Sequence, residues 1–253
     1  MTRCEPAVRV ERHASDERIL TLTLNRPEVL NAYDRTMRDA LWEGLELAVS
    51  DASVHVVVLR GAGRAFSSGG DLTEFGTAPS PIRAREIRAV RDVWARFVAL
   101  PCISLAAVHG VAAGGGLEMA LLCDLIVCAR NARLGLPETG LGAIPGVGGT
   151  QTLPRAAGEG RAAHLLLTGE WIDGAAAARF GIASLAVPPE RFERAVDRLA
   201  GRVARLPSPV LRGLKQAIRR GRDLRLAEAL SLEKRLARTL GGSPQMNPHE
   251  RRR

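Results

Sequence analysis

Residues 110–149, GVAAGGGLEMALLCDLIVCARNARLGLPETGLGAIPGVGG, limit what this chain can fold into more than any other stretch. Glycine and proline at that density build a rigid framework of turns rather than one packed element. The framework sets two carboxylates, Glu118 and Glu138, on either side of a short strand pair. Glu118 follows a triple glycine that opens a helix, and Glu138 follows Pro137 in a glycine-rich loop. Two carboxylates held in this way suit a general acid and a general base working across one small substrate.

The flanking pattern is that of an α/β fold. Ile19–Leu24 alternates threonine with apolar residues and predicts a strand, and RPEVLNAY predicts a turn containing proline. Asp34 is placed to cap a helix that runs to about Val49. Residues 54–59 (VHVVVL), 103–108 (ISLAAV) and 125–129 read as buried strands of a parallel sheet. Residues 81–100 read as an arginine-bearing amphipathic helix. Strand followed by helix recurs, which predicts layers joined by right-handed crossovers. Beyond about Gly149 the pattern turns helical, over 158–168, 173–180, 190–206, 208–220 and 223–240, with SLAV at 184–187 as the one interruption. The last residues, GGSPQMNPHERRR, lack apolar periodicity and are expected to be disordered.

A chain of 253 residues with 46% apolar and only 4% aromatic residues implies a sizeable aliphatic core. Its net charge of +9 is almost all arginine, since Lys215 and Lys234 are the only lysines. Arginine excess fits GC-rich coding better than a dedicated nucleic-acid surface. RNA binding stays a remote alternative, because the arginines are spread along the chain and stacking aromatics are scarce. Cys4, Cys102, Cys123 and Cys128 form no Cys-x-x-Cys pair, and three of them sit in apolar runs. With no signal core at the N-terminus and no apolar run near the roughly 18 residues of a membrane span, the expectation is a soluble, cytoplasmic protein. No set of histidine, cysteine and acidic residues has metal spacing. GAGRAF follows a strand but lacks the third glycine of a dinucleotide fingerprint, because Phe66 stands there. Ser67 and Ser68 have no histidine partner, and His109 reads as a strand-end residue.

From about Ile19 to Arg238 the sequence resembles the crotonase superfamily, the enoyl-CoA hydratases and isomerases. LNRPEVLNAY is similar to that family's first active-site turn, and AFSSGGDL to its first oxyanion-loop motif. LAAVHGVAAGGGLEMALLCDL, from Leu105 to Leu125, and LPETGLGAIPGVGGTQTLPR continue the likeness without a gap. The resemblance implies a spiral of ββα turns with a helical C-terminal trimerisation region: a core over 1–190, an oligomerisation region over 191–240 and a tail over 241–253. It implies an acyl-CoA thioester substrate, no separate cofactor and no metal, and a homotrimer or homohexamer.

The resemblance also implies site residues. The backbone N–H groups of Gly70 and Gly115 would form an oxyanion hole, and Glu118 and Glu138 would be the two catalytic glutamates. Ala32, Ser68, Gly70, Asp71, Leu72, Gly115, Pro137 and Gly146 would contact the substrate or its CoA portion. Elementary chemistry agrees with those roles. A helix start and a glycine that admits close approach can present N–H donors to an enolate oxygen. Asp71 is expected to shape the SSGGD loop, and Asp124 a turn. Thr73 stands where many relatives carry a basic residue, and the likeness stops near EKRLAR, so Arg26 or arginines within 83–96 are candidates for the CoA phosphates. The expected reaction is addition of water to a trans-2-enoyl-CoA. The alternatives are double-bond isomerisation, which can dispense with Glu118, or another acyl-CoA lyase reaction of the same superfamily.

Overall fold

The computed structural model describes residues 5–74, 77 and 90–241. The expected tail at 242–253 and most of the helix expected from residue 81 lie outside the described residues. The chain divides into two compact units, 1–205 and 206–253.

The first unit is built on a six-stranded sheet of order β1-β2-β3-β4-β6-β9. Strand β1 (Val8–His13) and β2 (Asp16–Leu24) form an antiparallel hairpin, and every later neighbour in this sheet is parallel. The parallel members are β3 (Val56–Gly61), β4 (Ile103–Val108), β6 (Leu125–Ala129) and β9 (Leu185–Val187). β4 is buried at all six positions, as a central parallel strand covered on both faces must be. A second sheet, of order β5-β7-β8, joins Val111–Ala113, Arg133–Gly135 and Ile172–Asp173. Strands of two or three residues carry no readable periodicity, so these three were not legible in the sequence.

Helix α1 (Arg35–Ser50) starts where expected, since the Asp34 carboxylate accepts from the Met37 N–H at 2.7 Å. Helix α2 spans only Val93–Ala99, because Asp92 caps it by accepting from the Ala95 N–H at 2.9 Å; residues 90–92 are therefore not the middle of a longer helix. Helix α3 (Gly115–Leu122) follows the triple glycine as read. Helix α4 (Gly149–Ala157) was not anticipated, because it opens on glycine and contains Pro154. Helices α5 (Glu159–Thr168), α6 (Gly174–Arg179) and α7 (Phe192–Ala204) complete the first unit. Phe192 and Val196 of α7 are buried in the same core as Leu22, Leu59 and Val127, so these positions pack within their own chain.

The second unit pairs α8 (Ser208–Gly221) with α9 (Leu226–Gly241). A Cβ on Gly213 would stand 2.7 Å from the Leu240 side chain, so glycine lets these helices approach. Among the described residues no helix is long and apolar enough to cross a membrane.

Candidate active site

Four loops meet where the two sheets of the first unit come together. The first, residues 25–34, joins β2 to α1. It makes a 3-10 turn at Pro27–Val29 and then two left-handed residues, Leu30 (φ 54°) and Asn31 (φ 56°). Positive φ in a branched-chain residue such as leucine is costly and persists only where the surroundings impose it. Here the imposing group is Asn31, which is fully buried. Its amide donates to the carbonyls of Ala62, Ala65 and Phe66 at 2.9, 2.8 and 3.2 Å, and its own carbonyl accepts from the Ser67 hydroxyl at 2.9 Å. The first loop is thereby tied to the second, residues 61–74. The sequence reading did not single out Asn31; an asparagine in a proline-led turn, a residue type that tolerates the left-handed region, was the available signal.

The second loop carries Gly70. Tyr33 donates its N–H to the Gly69 carbonyl at 2.7 Å and accepts from the Asp71 N–H at 2.9 Å. In a planar trans peptide the C=O and the next N–H point in opposite directions. Anchoring the Gly69 carbonyl on Tyr33 therefore turns the Gly70 N–H away from the first loop.

The third loop does the same for Gly115. Gly114 donates to the Gly135 carbonyl at 2.9 Å, and its own carbonyl accepts from Glu118 N–H at 2.9 Å as the first bond of α3. The Gly115 N–H, on the same peptide unit as that carbonyl, projects from the helix N-terminus, where no helical acceptor exists. Among the described residues no acceptor is found for either N–H. A Cβ built on Gly115 would lie 3.7 Å from the Gly70 nitrogen and 3.9 Å from the Gly69 Cα, so the two donors flank one narrow gap. Two converging N–H groups beside a helix N-terminus are equipped to stabilise a negatively charged oxygen.

The glutamates stand around the same turn in different surroundings. Glu118, on the first turn of α3, is 2% exposed. Its Oε1 accepts from the N–H groups of Val147 and Gly149 at 3.0 and 2.7 Å, the one in the fourth loop, 143–148, and the other at the first residue of α4. Burial pushes its carboxyl above the ordinary value, these N–H donors pull the other way, and the charge of Glu138 adds to the rise. Glu138 is half-buried in a 3-10 turn at Pro137–Leu141, and its Oε1 lies 2.9 Å from where a Cβ on Gly114 would be. Its Oε2 is buried without a hydrogen-bond partner among the described residues, and burial raises its carboxyl as well. Thus one glutamate has backbone donors that favour the ionised form, and the other has a bare oxygen that favours keeping a proton.

The remaining expected contact residues are distributed around these loops. Ala32 is buried, and Ser68 donates its N–H to the Leu30 carbonyl at 2.9 Å. Asp71 shapes its loop: its Oδ1 accepts from the N–H and hydroxyl of Thr73 at 3.1 and 2.7 Å, and its carboxyl is held low chiefly by those bonds. Leu72 is 62% exposed, and Pro137 is half-buried at the head of the Glu138 turn. Gly146 is exposed beside Val147, in the loop that holds Glu118. Arg26 does not stand free for a phosphate: its Nη1 meets the Ala32 carbonyl at 2.8 Å and the carboxylates of Asp34 and Asp71 at 2.9 and 3.3 Å. Arg91 and Arg96 are likewise engaged, with Asp39 and Glu43 and with Glu46. Asp124, between α3 and β6, ties that turn to β4 by accepting from the N–H and hydroxyl of Ser104 at 2.8 and 3.0 Å. GAGRAF packs backbone on backbone, for a Cβ on Gly61 would meet the Ala65 carbonyl at 2.2 Å. Among the described residues no cluster of acidic, histidine and cysteine side chains could hold a metal ion.

Residues 14–247 match the model of the enoyl-CoA hydratase/isomerase family. This chain belongs to that family. It is 38% identical over 220 residues to the 2,3-dehydroadipyl-CoA hydratase of Escherichia coli K12, covering 87% of this chain and 86% of that one. To the crotonyl-CoA hydratase of Syntrophomonas wolfei it is 34% identical over 220 residues, covering 86% and 84%. The solved structure of an enoyl-CoA hydratase subunit from Geobacillus kaustophilus superposes with a TM-score of 0.88 at 36% identity, over 94% of this chain and 90% of that one. DspI of Pseudomonas aeruginosa superposes with a TM-score of 0.86 at 32% identity, over 96% and 99%. The fold is therefore the mixed α/β fold of the crotonase superfamily, as its resemblance implied. A surface groove of about 940 Å³, lined by Arg9, Arg60, Arg64, His109 and Phe192 among others, includes neither Glu118 nor Glu138.

Proposed function

We propose that this protein is an enoyl-CoA hydratase, adding water across the 2,3-double bond of a trans-2-enoyl-CoA through Glu118, Glu138 and the N–H groups of Gly70 and Gly115. The observation that carries the reading is the contrast between the two carboxylates. Glu118, whose Oε1 is oriented by two backbone donors that offset part of its burial, takes a proton from water in its ionised form. The resulting hydroxide oxygen bonds to C3 of the substrate. The π-electrons of the C2–C3 bond shift toward the thioester, whose oxygen becomes an enolate held by the N–H groups of Gly70 and Gly115. Glu138, whose buried Oε2 favours the protonated form, then delivers its proton to C2 as the enolate collapses. Glu118 ends protonated and Glu138 ionised, and proton exchange with solvent restores both. CoA enters as part of the substrate, so no separate cofactor takes part.

The presence of both glutamates favours hydration over isomerisation, which needs only one proton carrier. The test is a panel of trans-2-enoyl-CoA thioesters of varied chain length. Hydration removes the conjugated absorbance and adds the mass of one water. Loss of conjugation without a mass gain would replace this reading with isomerisation.

The reading includes a trimer or hexamer in a cytoplasmic setting. Val210, Leu214 and Ile218 recur at one-turn spacing along α8 and are exposed, an apolar stripe that supports contact with other copies of the chain. The buried thiols of Cys102, Cys123 and Cys128 are joined in no disulfide among the described residues, which fits a reducing compartment.

A further inference from the structure

We propose that Arg26 is a positioning residue for the Gly70 N–H: one guanidinium nitrogen pins Ala32, Asp34 and Asp71 together, and so fixes the peptide that Gly70 presents to the thioester oxygen. The inference rests on the hydratase reading and deepens it. Three contacts converge on Nη1, from the Ala32 carbonyl, Asp34 Oδ2 and Asp71 Oδ2. The Tyr33 backbone, which orients the Gly69–Gly70 peptide, lies between Ala32 and Asp34, and Asp71 directly follows Gly70. The cation therefore clamps both sides of the bridge that turns the Gly70 N–H outward.

The two carboxylates divide their oxygens in a way that separates this role from folding. Asp34 uses Oδ1 to cap α1 through the Met37 N–H and gives Oδ2 to Arg26. Asp71 uses Oδ1 for its turn with Thr73 and gives Oδ2 to Arg26. Removing the cation leaves both local turns intact. It strips the shared counterion from two carboxylates that are 15% and 14% exposed. Two such charges at one point repel, and they are poorly screened when largely out of water. The 70–71 segment then moves away from the Tyr33 bridge. A donor displaced by a fraction of an ångström loses much of its effect on a developing oxyanion. Because these three contacts meet at one nitrogen, a lysine ammonium, with three donors of its own, can substitute for it.

The experiment compares wild type, Arg26→Met and Arg26→Lys, with folding checked by circular dichroism and melting. Enoyl-CoA hydration gives kcat and KM. Bound butanoyl-CoA, isotope-labelled at the thioester carbonyl and read by difference infrared spectroscopy, reports the oxyanion hole directly. The wild-type carbonyl band is expected to fall below its solution frequency. In Arg26→Met the band returns toward the solution value, and kcat falls by between about tenfold and a hundredfold, with KM changed by less than about threefold. Arg26→Lys restores both band and kcat. If the methionine variant does not fold, Arg26→Gln, which keeps a planar donor without the charge, gives the same readout. A folded, uncharged variant with the wild-type band and a kcat within about twofold of wild type overturns the proposal. So does a loss confined to KM, or one that lysine does not restore. A wild-type band unmoved from solution overturns the oxyanion reading itself, and this proposal with it.

Discussion

Gly115→Ala separates the chemistry of the site from its stability. The φ of Gly115 lies outside the left-handed range, unlike that of Gly114 at 48°, so an L-residue adopts its backbone without strain. The added Cβ meets the Gly70 nitrogen at 3.7 Å and the Gly69 Cα at 3.9 Å, both ordinary contacts. Replacing glycine with alanine at a compatible position stabilises a protein by about 0.4–1 kcal/mol, chiefly by restricting the unfolded chain. For a chain of this size that corresponds to a rise in Tm of roughly 1–4 °C. The same methyl stands in the gap the two N–H donors share. An oxygen accepting from Gly70 belongs about 2.9 Å from that nitrogen, in space the methyl group crowds. The thioester oxygen must then give up or lengthen at least one of its two bonds, and losing one such donor costs about 2.7–4 kcal/mol, a hundredfold to a thousandfold in kcat. Calorimetry and initial rates of enoyl-CoA hydration measure the two effects on one sample. The expected result is a protein at least as stable as wild type and at least about a hundredfold slower. Full activity in a folded Gly115→Ala protein would refute the placement of the oxygen between residues 70 and 115.

Glu138→Gln keeps size and hydrogen bonding but removes the acid, so turnover should fall by about a hundredfold or more while binding of a saturated acyl-CoA, measured by calorimetry, hardly changes. Glu118→Gln should abolish hydration yet leave slow exchange of the C2 protons of bound butanoyl-CoA with deuterated water; persistent hydration would remove Glu118 from the role of base. Burial raises the carboxyls of both glutamates above the ordinary carboxylate range. Folding therefore disfavours their ionisation, and stability falls as pH rises from the unfolded value through the raised folded ones. Either glutamine variant should thus melt higher than wild type at neutral pH, with the gap closing near pH 4, about the unfolded carboxyl value; a gap independent of pH would show that burial of these charges is not its cause. Light scattering should give a trimer or hexamer, and an active strict monomer would contradict the proposed assembly.

What the sequence made legible was the framework whose periods are long enough to read. The buried runs at 103–108 and 125–129, the Asp34 cap and the helix after the triple glycine stand where the pattern put them. The two glutamates were visible because each sits beside a cluster of glycine or proline. What stayed hidden depends on partners distant in the chain. Strands β5, β7 and β8 exist through pairing across two or three residues, and α4 forms despite its proline. Arg26 read as a spare cation because nothing in NRPEVLNAY shows that Asp71, 45 residues on, reaches back to it.

These hidden contacts share one physical purpose, because a peptide N–H is aimed only by fixing its carbonyl. Gly69 is fixed by Tyr33, and Gly114 by Glu118. The second anchor belongs to the proposed base: the backbone of Glu118 holds the peptide that presents Gly115, while its side chain is set by the N–H groups of Val147 and Gly149. On the proposed reading, the base and one oxyanion donor thus share one turn of helix, and displacing either disturbs the other. The Gly70 donor has no such helix behind it. Its orientation depends on loops held by Asn31 and Arg26, with left-handed strain at Leu30 and Asn31, so substitutions in this half of the site should disturb geometry before they disturb folding.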